Sequence, residues 1–169
     1  MGHHGQFTDL DRDAGTAVID VNVVAVTRLA HAAARAMVDR GAGGILNVSS
    51  VAGFAPTPGF AVYGATKAFV ISLGEALAVE LAGSGVTLTT VCPGLTRTEF
   101  QERAGYDAPK LPDSLWQSPD EVATTALEAL RKGRPRAVPG VPNKVAVAGS
   151  RLLPTPITRR ISRFLSDRR

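Results

Sequence analysis

The sequence is poor in cysteine and in aromatic side chains. Among its 169 residues there is one cysteine, and only 5% of the residues are aromatic. A single cysteine excludes an internal disulfide framework. Because Cys92 lies at the end of an apolar segment, we expect a buried structural thiol there. The scarcity of aromatic residues argues against a surface that stacks nucleic-acid bases.

The chain also contains no run of 18 apolar residues and no signal-peptide pattern, so we expect a cytoplasmic protein. With 44% hydrophobic and 20% charged residues, it fits one soluble globular domain. The net charge of +4 is concentrated between residues 151 and 169, which contain six arginines and one aspartate. A basic tail on a nearly neutral body predicts no nucleic-acid partner.

The order of the apolar segments predicts an α/β fold. Apolar residues recur at helical spacing from Asp9 to Arg40, and a second helix is expected from Phe60 to Ala82. Two short apolar segments, Gly44 to Ser50 and Val86 to Cys92, are typical of buried strands. A strand, a helix and a strand in this order form a βαβ unit, whose parallel strands are covered by helices.

The C-terminal third contains a clear helix start. Ser118 can be the N-cap, Pro119 suits the first turn, and Glu121 completes a capping box. This helix is expected to end near Arg131, and a short strand from Arg136 to Val138 is expected to follow it.

The pattern changes near residue 143, so we expect one domain at residues 1–142 and a basic amphipathic tail at residues 143–169. Four apolar residues of the tail fall on one helical face: Ile157, Ile161, Phe164 and Leu165. This face suits docking on the protein itself or on a second subunit. It also suits an anionic membrane surface.

Tyr63 and Lys67 are one helical turn apart, and residues at this spacing share a helix face. A nearby ammonium favours the phenolate, so we expect Lys67 to lower the pKa of Tyr63 from about 10. Ser50 lies upstream, at the end of a predicted strand, where its hydroxyl can hold a carbonyl or alcohol oxygen. The pair alone is more typical of a half-buried tyrosine and a solvated lysine, but the flanking segments favour a site for acid–base chemistry.

Four segments together resemble the classical short-chain dehydrogenase/reductase family. They follow the family's order and spacing: Asp20-Val21-Asn22-Val23, Asn47-Val48-Ser49-Ser50-Val51-Ala52-Gly53, Tyr63-Gly64-Ala65-Thr66-Lys67 and Val91-Cys92-Pro93-Gly94-Leu95-Thr96-Arg97-Thr98. The resemblance extends from Phe7 to about Gly140. It implies the C-terminal part of a doubly wound, parallel-sheet (Rossmann-like) α/β domain.

The resemblance implies an NAD(P)-dependent oxidoreductase that interconverts a small alcohol and a carbonyl compound. By this resemblance, Tyr63 corresponds to the family's general acid/base. Ser50 corresponds to the residue that orients the substrate, and Lys67 corresponds to the residue that binds the nicotinamide ribose. The asparagine that holds a water in the proton relay falls on Asn22. The implied cofactor contacts are Tyr63, Lys67, Pro93, Gly94, Thr96 and Thr98. Residues 97–112 would form a lid over the substrate.

The resemblance also implies a homo-oligomer, because the family's dimer interface uses the helices that correspond to Asp9–Arg40 and Phe60–Ala82. No metal site is expected, since His3 and His4 lack further ligands nearby in the sequence. His31 is expected at a surface or an interface.

The family holds its dinucleotide with a glycine-rich turn between a strand and a helix. The few residues before Asn22 contain no such turn, and Gly41 to Gly44 follow a helix that they are expected to end. We therefore expect the chain to begin mid-domain, through a truncated gene, a start codon assigned too late or a deliberate fragment. An alternative function is a catalytically inactive remnant that serves as an interaction or peripheral membrane module.

The 169-residue chain by itself is predicted neither to bind NADH or NADPH tightly nor to transfer hydride. The pyrophosphate would lack its glycine-rich turn, and the strand from Gly44 to Ser50 would become an exposed edge that favours self-association. Calorimetric titration with both dinucleotides, and size-exclusion chromatography with light scattering, measure these properties. Micromolar dinucleotide binding by a well-behaved monomer would contradict the prediction.

Overall fold

The computed structural model describes residues 2–106 and 111–152. Within them, three parallel strands form one sheet in the order β1-β2-β3. The strands are β1 (Gly43–Val48), β2 (Val86–Val91) and β3 (Arg136–Ala137). Helices cover both faces of the sheet, so the predicted α/β fold with a parallel βαβ unit is confirmed.

The first helical stretch follows the predicted course but contains an irregular turn. It consists of α1 (Arg12–Ile19), a π-helical turn (Asp20–Ala25) and α2 (Val26–Asp39). The Asp11 side chain accepts a hydrogen bond from the Asp13 N–H and caps the start of α1. Helical periodicity predicted one continuous helix here; the π-helical turn has no signature in apolar spacing.

The connecting helix of the βαβ unit is α3 (Ala61–Glu80), which packs against β2. On this face of the sheet, buried side chains of both strands form one core cluster with α2 and α3. Its buried members are Ile45, Leu81, Val86 and Leu88. Met37 and Leu77 pack against them and join α2 and α3 to the sheet.

The opposite face is covered by α5 (Pro119–Arg131), after the short α4 (Phe100–Arg103). The capping box of α5 is present in both directions: Ser118 Oγ accepts from the Glu121 N–H, and Glu121 Oε2 accepts from the Ser118 N–H. This confirms the predicted helix start. The second core cluster, under α5, contains Val91, Ala126, Ala129 and Ala137.

The last described helix is α6 (Val141–Leu152), which follows Gly140 at a positive φ of 79°. The boundary expected between residues 142 and 143 falls inside this helix, and the division into domain and tail stays a prediction. The apolar tail residues from Ile157 onward lie outside the described residues.

Strand β1 lies at the edge of the sheet, where the Val48 side chain is 56% exposed. Two helical stretches, Arg12–Asp39 and Ala61–Glu80, reach the length and mean hydropathy of a membrane span. Core helices of α/β domains meet the same criteria, and both stretches contact the sheet. We therefore interpret them as helices that cover the sheet.

Gly74→Ala is predicted to destabilise the protein by about 1–3 kcal/mol, as overpacked cores do. A Cβ at Gly74 in α3 would come within 2.0 Å of Oγ1 of Thr90, which is fully buried on β2. Gly15→Ala in α1 is the matched control, because a Cβ there meets nothing within 4 Å. The control should gain up to about 1 kcal/mol from helix propensity.

Urea unfolding followed by circular dichroism measures both variants. Thr90→Ala removes the opposing hydroxyl and should recover most of the loss when combined with Gly74→Ala. Equal effects of the Gly74 and Gly15 substitutions would show that the close packing of α3 on β2 is not what limits stability.

Candidate active site

Ser50 lies just beyond the carboxyl end of β1 and joins it to the end of β2. Its Oγ accepts a hydrogen bond from the Ala52 N–H at 3.1 Å and donates to the Pro93 carbonyl at 3.4 Å. The backbone contributes a parallel link, since the Val51 N–H donates to the same Pro93 carbonyl at 2.9 Å. Ser50 is thereby fixed where open α/β sheets bind their ligands.

Two glycines allow the first turns of α3 to approach this strand end. A Cβ at Gly53 would lie 2.8 Å from the backbone of Lys67 and Ala68. A Cβ at Gly64 would lie 2.0 Å from Oγ1 of Thr57. Side chains at either position would push α3 away from Ser50, so the close approach requires glycine.

Tyr63 and Lys67 both face the strand end from α3, as their spacing predicts. The Ser50 hydroxyl lies close enough to the Tyr63 phenol to oppose the rise in its pKa. Lys67 Nζ donates to the Val48 carbonyl at 3.0 Å and lies 5.5 Å from the centroid of the Tyr63 ring. Ser49 completes the contact, because its Oγ donates to the Lys67 carbonyl at 2.7 Å.

Burial shifts the pKa values of this pair in opposite directions. It raises the pKa of Tyr63 above 10.0, and the nearby Ser50 side chain offsets part of the increase. It lowers the pKa of Lys67 below 10.5. The expected lowering of the Tyr63 pKa is therefore wrong for this structure, because burial has the largest influence on the phenol.

Asn22 lies in the π-helical turn and is buried behind the other three residues. Its Nδ2 donates to Oγ1 of Thr66 at 3.1 Å, and that hydroxyl donates to the Tyr63 carbonyl at 2.7 Å. Asn22 thus braces the backbone that carries Tyr63. Its expected role of holding a water in the proton relay stays a prediction.

These residues border a cavity of about 400 Å³ at the carboxyl edge of the sheet. It brings together six of the eight predicted site residues: Ser50, Tyr63, Lys67, Pro93, Gly94 and Thr96. Asn22 does not line this cavity. Thr98 borders a neighbouring cavity, together with Arg97 and His3. Thr98 Oγ1 accepts from the Phe100 N–H at 3.2 Å and so helps to begin α4.

Three aromatic residues that sequence reasoning did not select also line the cavity: Phe60, Phe100 and Tyr106. The position of Phe60 one turn before Tyr63 was the available signal. Asn143 also lines the cavity, with its Nδ2 donating to Oε1 of Gln117 and to the Pro139 carbonyl. Nothing in the sequence indicated Asn143, since α6 reaches the cavity only through the fold.

Other candidate groups lie outside the cavity wall. Burial raises the pKa of Cys92 to about 12, so this thiol is protonated near neutral pH and is a weak nucleophile. His31 is exposed on α2. Within residues 2–106 and 111–152, no group of three or more histidine, cysteine or acidic side chains could hold a metal ion.

The chain is similar to known proteins over most of its length. The protein named Probable oxidoreductase EphD, from Mycobacterium tuberculosis, is 33% identical over 171 residues, covering 91% of this chain and 29% of its own length. A sulfoacetaldehyde reductase from Chromohalobacter salexigens is 40% identical over 121 residues, covering 70% of this chain and 46% of the reductase. The chain thus spans less than half of either relative.

A solved structure of a short-chain dehydrogenase from Sphingobium yanoikuyae, in complex with NADPH, superposes with a TM-score of 0.77. It is 38% identical, and the match covers 89% of this chain and 59% of that protein. This likeness confirms a Rossmann-like fold.

A family model described as short chain dehydrogenase matches residues 1–108. That range is more than half of the chain and includes the segments that carry Asn22, Ser50, Tyr63 and Lys67. The chain therefore belongs to the short-chain dehydrogenase/reductase family.

Proposed function

We propose that this chain provides the acid–base and substrate-binding part of an NAD(P)-dependent oxidoreductase that interconverts a small alcohol and a carbonyl compound. The observation that carries the proposal is that Ser50 and Tyr63 line one cavity, with the Lys67 ammonium 5.5 Å from the centroid of the phenol ring. Family membership supports the same class of reaction.

In the reductive direction, the carbonyl oxygen of the substrate accepts hydrogen bonds from Ser50 and Tyr63. As negative charge develops on that oxygen, the Tyr63 hydroxyl transfers its proton to it. Burial raises the pKa of Tyr63 and so favours the neutral phenol, which is the form that can donate a proton. In this direction Tyr63 is the general acid.

The residues present fit the nicotinamide end of a dinucleotide. Lys67 and Tyr63 offer hydrogen-bonding groups beside the half-exposed, apolar Val48, and a flat ring could cover that apolar surface. Pro93, Gly94 and Thr96 would form the neighbouring wall. The bound NAD or NADP would supply or accept the hydride.

A homo-oligomer is part of the proposal. The helices named by the family resemblance expose several large apolar side chains, most of all Leu29 on α2, which is 71% exposed, and Val79 on α3, which is 77% exposed. Burial of such side chains between subunits would be favourable. The comparisons do not favour the alternative of an inactive interaction module.

Tyr63→Phe is predicted to reduce turnover about 10²–10⁴-fold, the usual contribution of general acid–base catalysis. The substitution removes the hydroxyl and keeps the ring, so the fold should be unchanged. The measurement is the steady-state rate in a form of the protein that turns over a carbonyl substrate with NADH or NADPH.

Tyr106→Phe is the matched control, since it also removes a tyrosine hydroxyl from the cavity wall. Most activity should survive in that variant. A Tyr63→Phe protein that retained most of its turnover would refute the assignment of Tyr63.

Lys67→Met is predicted to raise the pKa of Tyr63 further, because the phenolate loses a cation near its ring. A higher phenol pKa moves the pH profile of both oxidation and reduction upward. Spectrophotometric titration of the phenolate, corrected with Tyr63→Phe, measures the shift. Lys144→Met on the exposed part of α6 is the control and should leave the titration unchanged.

A further inference from the structure

The wall of the cavity beside Tyr63 is unusually aromatic for this chain. Both tyrosines and two of the six phenylalanines of the sequence line it: Phe60, Tyr63, Phe100 and Tyr106. The Tyr63 and Phe100 ring centroids are 5.3 Å apart, and those of Phe60 and Tyr106 are 5.1 Å apart. All four side chains are half-buried, so part of each ring stays accessible from the cavity.

His4 contacts two of the rings in this aromatic wall. The His4 ring packs against Phe60 at 4.9 Å and against Tyr106 at 5.1 Å. The backbone N–H of His4 donates to the carbonyl of Ala104 at 3.0 Å. Ala104 directly follows α4, the helix that carries Phe100. The rings on α3 and on the lid segment are therefore linked, and they present a preformed apolar surface.

Charged groups are scarce in the same wall. Among the described residues that line the cavity, Lys67 carries the only formal charge, and its Nζ is already bonded to the Val48 carbonyl. The arginines of the lid segment lie elsewhere and are paired: Arg97 with Asp113 at 2.5 Å, and Arg103 with Glu99 at 2.6 Å. A bound sulfonate, phosphate or carboxylate would find no free guanidinium fork there.

We propose that the substrate is an uncharged ketone or secondary alcohol with an aromatic or alicyclic ring, and that its ring packs on Phe60, Phe100 and Tyr106. The inference rests on the proposed function for the position of the reacting oxygen at Ser50 and Tyr63. A cavity of about 400 Å³ lies in the range of small-molecule sites and can hold one such ring. An anionic substituent would lose its hydration without gaining an arginine partner among the described residues of the wall.

Three probes of matched chemistry test the proposal on the 169-residue chain: acetophenone, 4-acetylbenzenesulfonate and acetone. The first two differ by one sulfonate, and the third lacks the ring. NMR titration should show acetophenone binding about tenfold more tightly than either of the others, from ring burial. Equal or tighter binding of the sulfonate, equal binding of acetone, or no ketone binding by the folded chain would each overturn the proposal.

Substitutions test whether the ring of the probe binds on the aromatic wall. Phe100→Ala should weaken acetophenone binding about fivefold or more, as expected for the loss of an aromatic contact. Phe7→Ala is the control, because Phe7 is 69% exposed and lies outside the cavity wall. Phe100→Arg should shift the preference toward the sulfonate by adding a cation. Unchanged probe affinities in both Phe100 variants would contradict the proposed ring site.

Tyr63→Phe separates this inference from the proposed function, because the variant keeps the ring and loses the proton donor. It should keep most of the affinity for acetophenone, because it loses one hydrogen bond to the ketone and no ring contact, and it should fail to support reduction. Binding of acetophenone without turnover in any dinucleotide-loaded form would refute the proposed function and leave the ring site standing. Faster turnover of the sulfonated ketone would refute the ring site and leave the proposed function standing.

Discussion

The reciprocal contact between the end of β1 and the second turn of α3 determines how Tyr63 and Lys67 lie relative to Ser50, on which the rest of the candidate site depends. Ser49 donates its hydroxyl to the Lys67 carbonyl at 2.7 Å, and Lys67 Nζ donates to the Val48 carbonyl at 3.0 Å. Gly53 allows the two backbones to approach this closely. Because the contact runs in both directions, the strand end and the helix cannot shift independently, and Tyr63 is held against Ser50.

The same contact removes Tyr63 and Lys67 from water, and that burial determines their chemistry. Burial raises the pKa of the phenol and lowers the pKa of the ammonium, so it favours the uncharged form of each group. A neutral phenol is the form that can protonate a carbonyl oxygen.

The polar and apolar sides of the cavity come from different parts of the chain. Strand ends and α3 supply the hydroxyls and the ammonium, whereas the lid segment supplies Phe100 and Tyr106. The two sides meet because Phe60 lies one turn before Tyr63 and packs on both lid rings. Because of this division, substitutions at Phe100 or Tyr106 can alter the apolar side of the cavity and leave Ser50 and Tyr63 in place.

The sequence by itself determined the βαβ order, the capping box of α5 and the grouping of Ser50, Tyr63 and Lys67, because these follow from local spacing and strand-end topology. It also indicated the family through four ordered motifs. Tertiary structure decided what local patterns do not encode: the π-helical turn at Asn22, the entry of Asn143 into the cavity, and the aromatic wall. It also reversed the expected pKa of Tyr63, because burial depends on how α3 packs against β1, and a spacing of four residues carries no information about solvent.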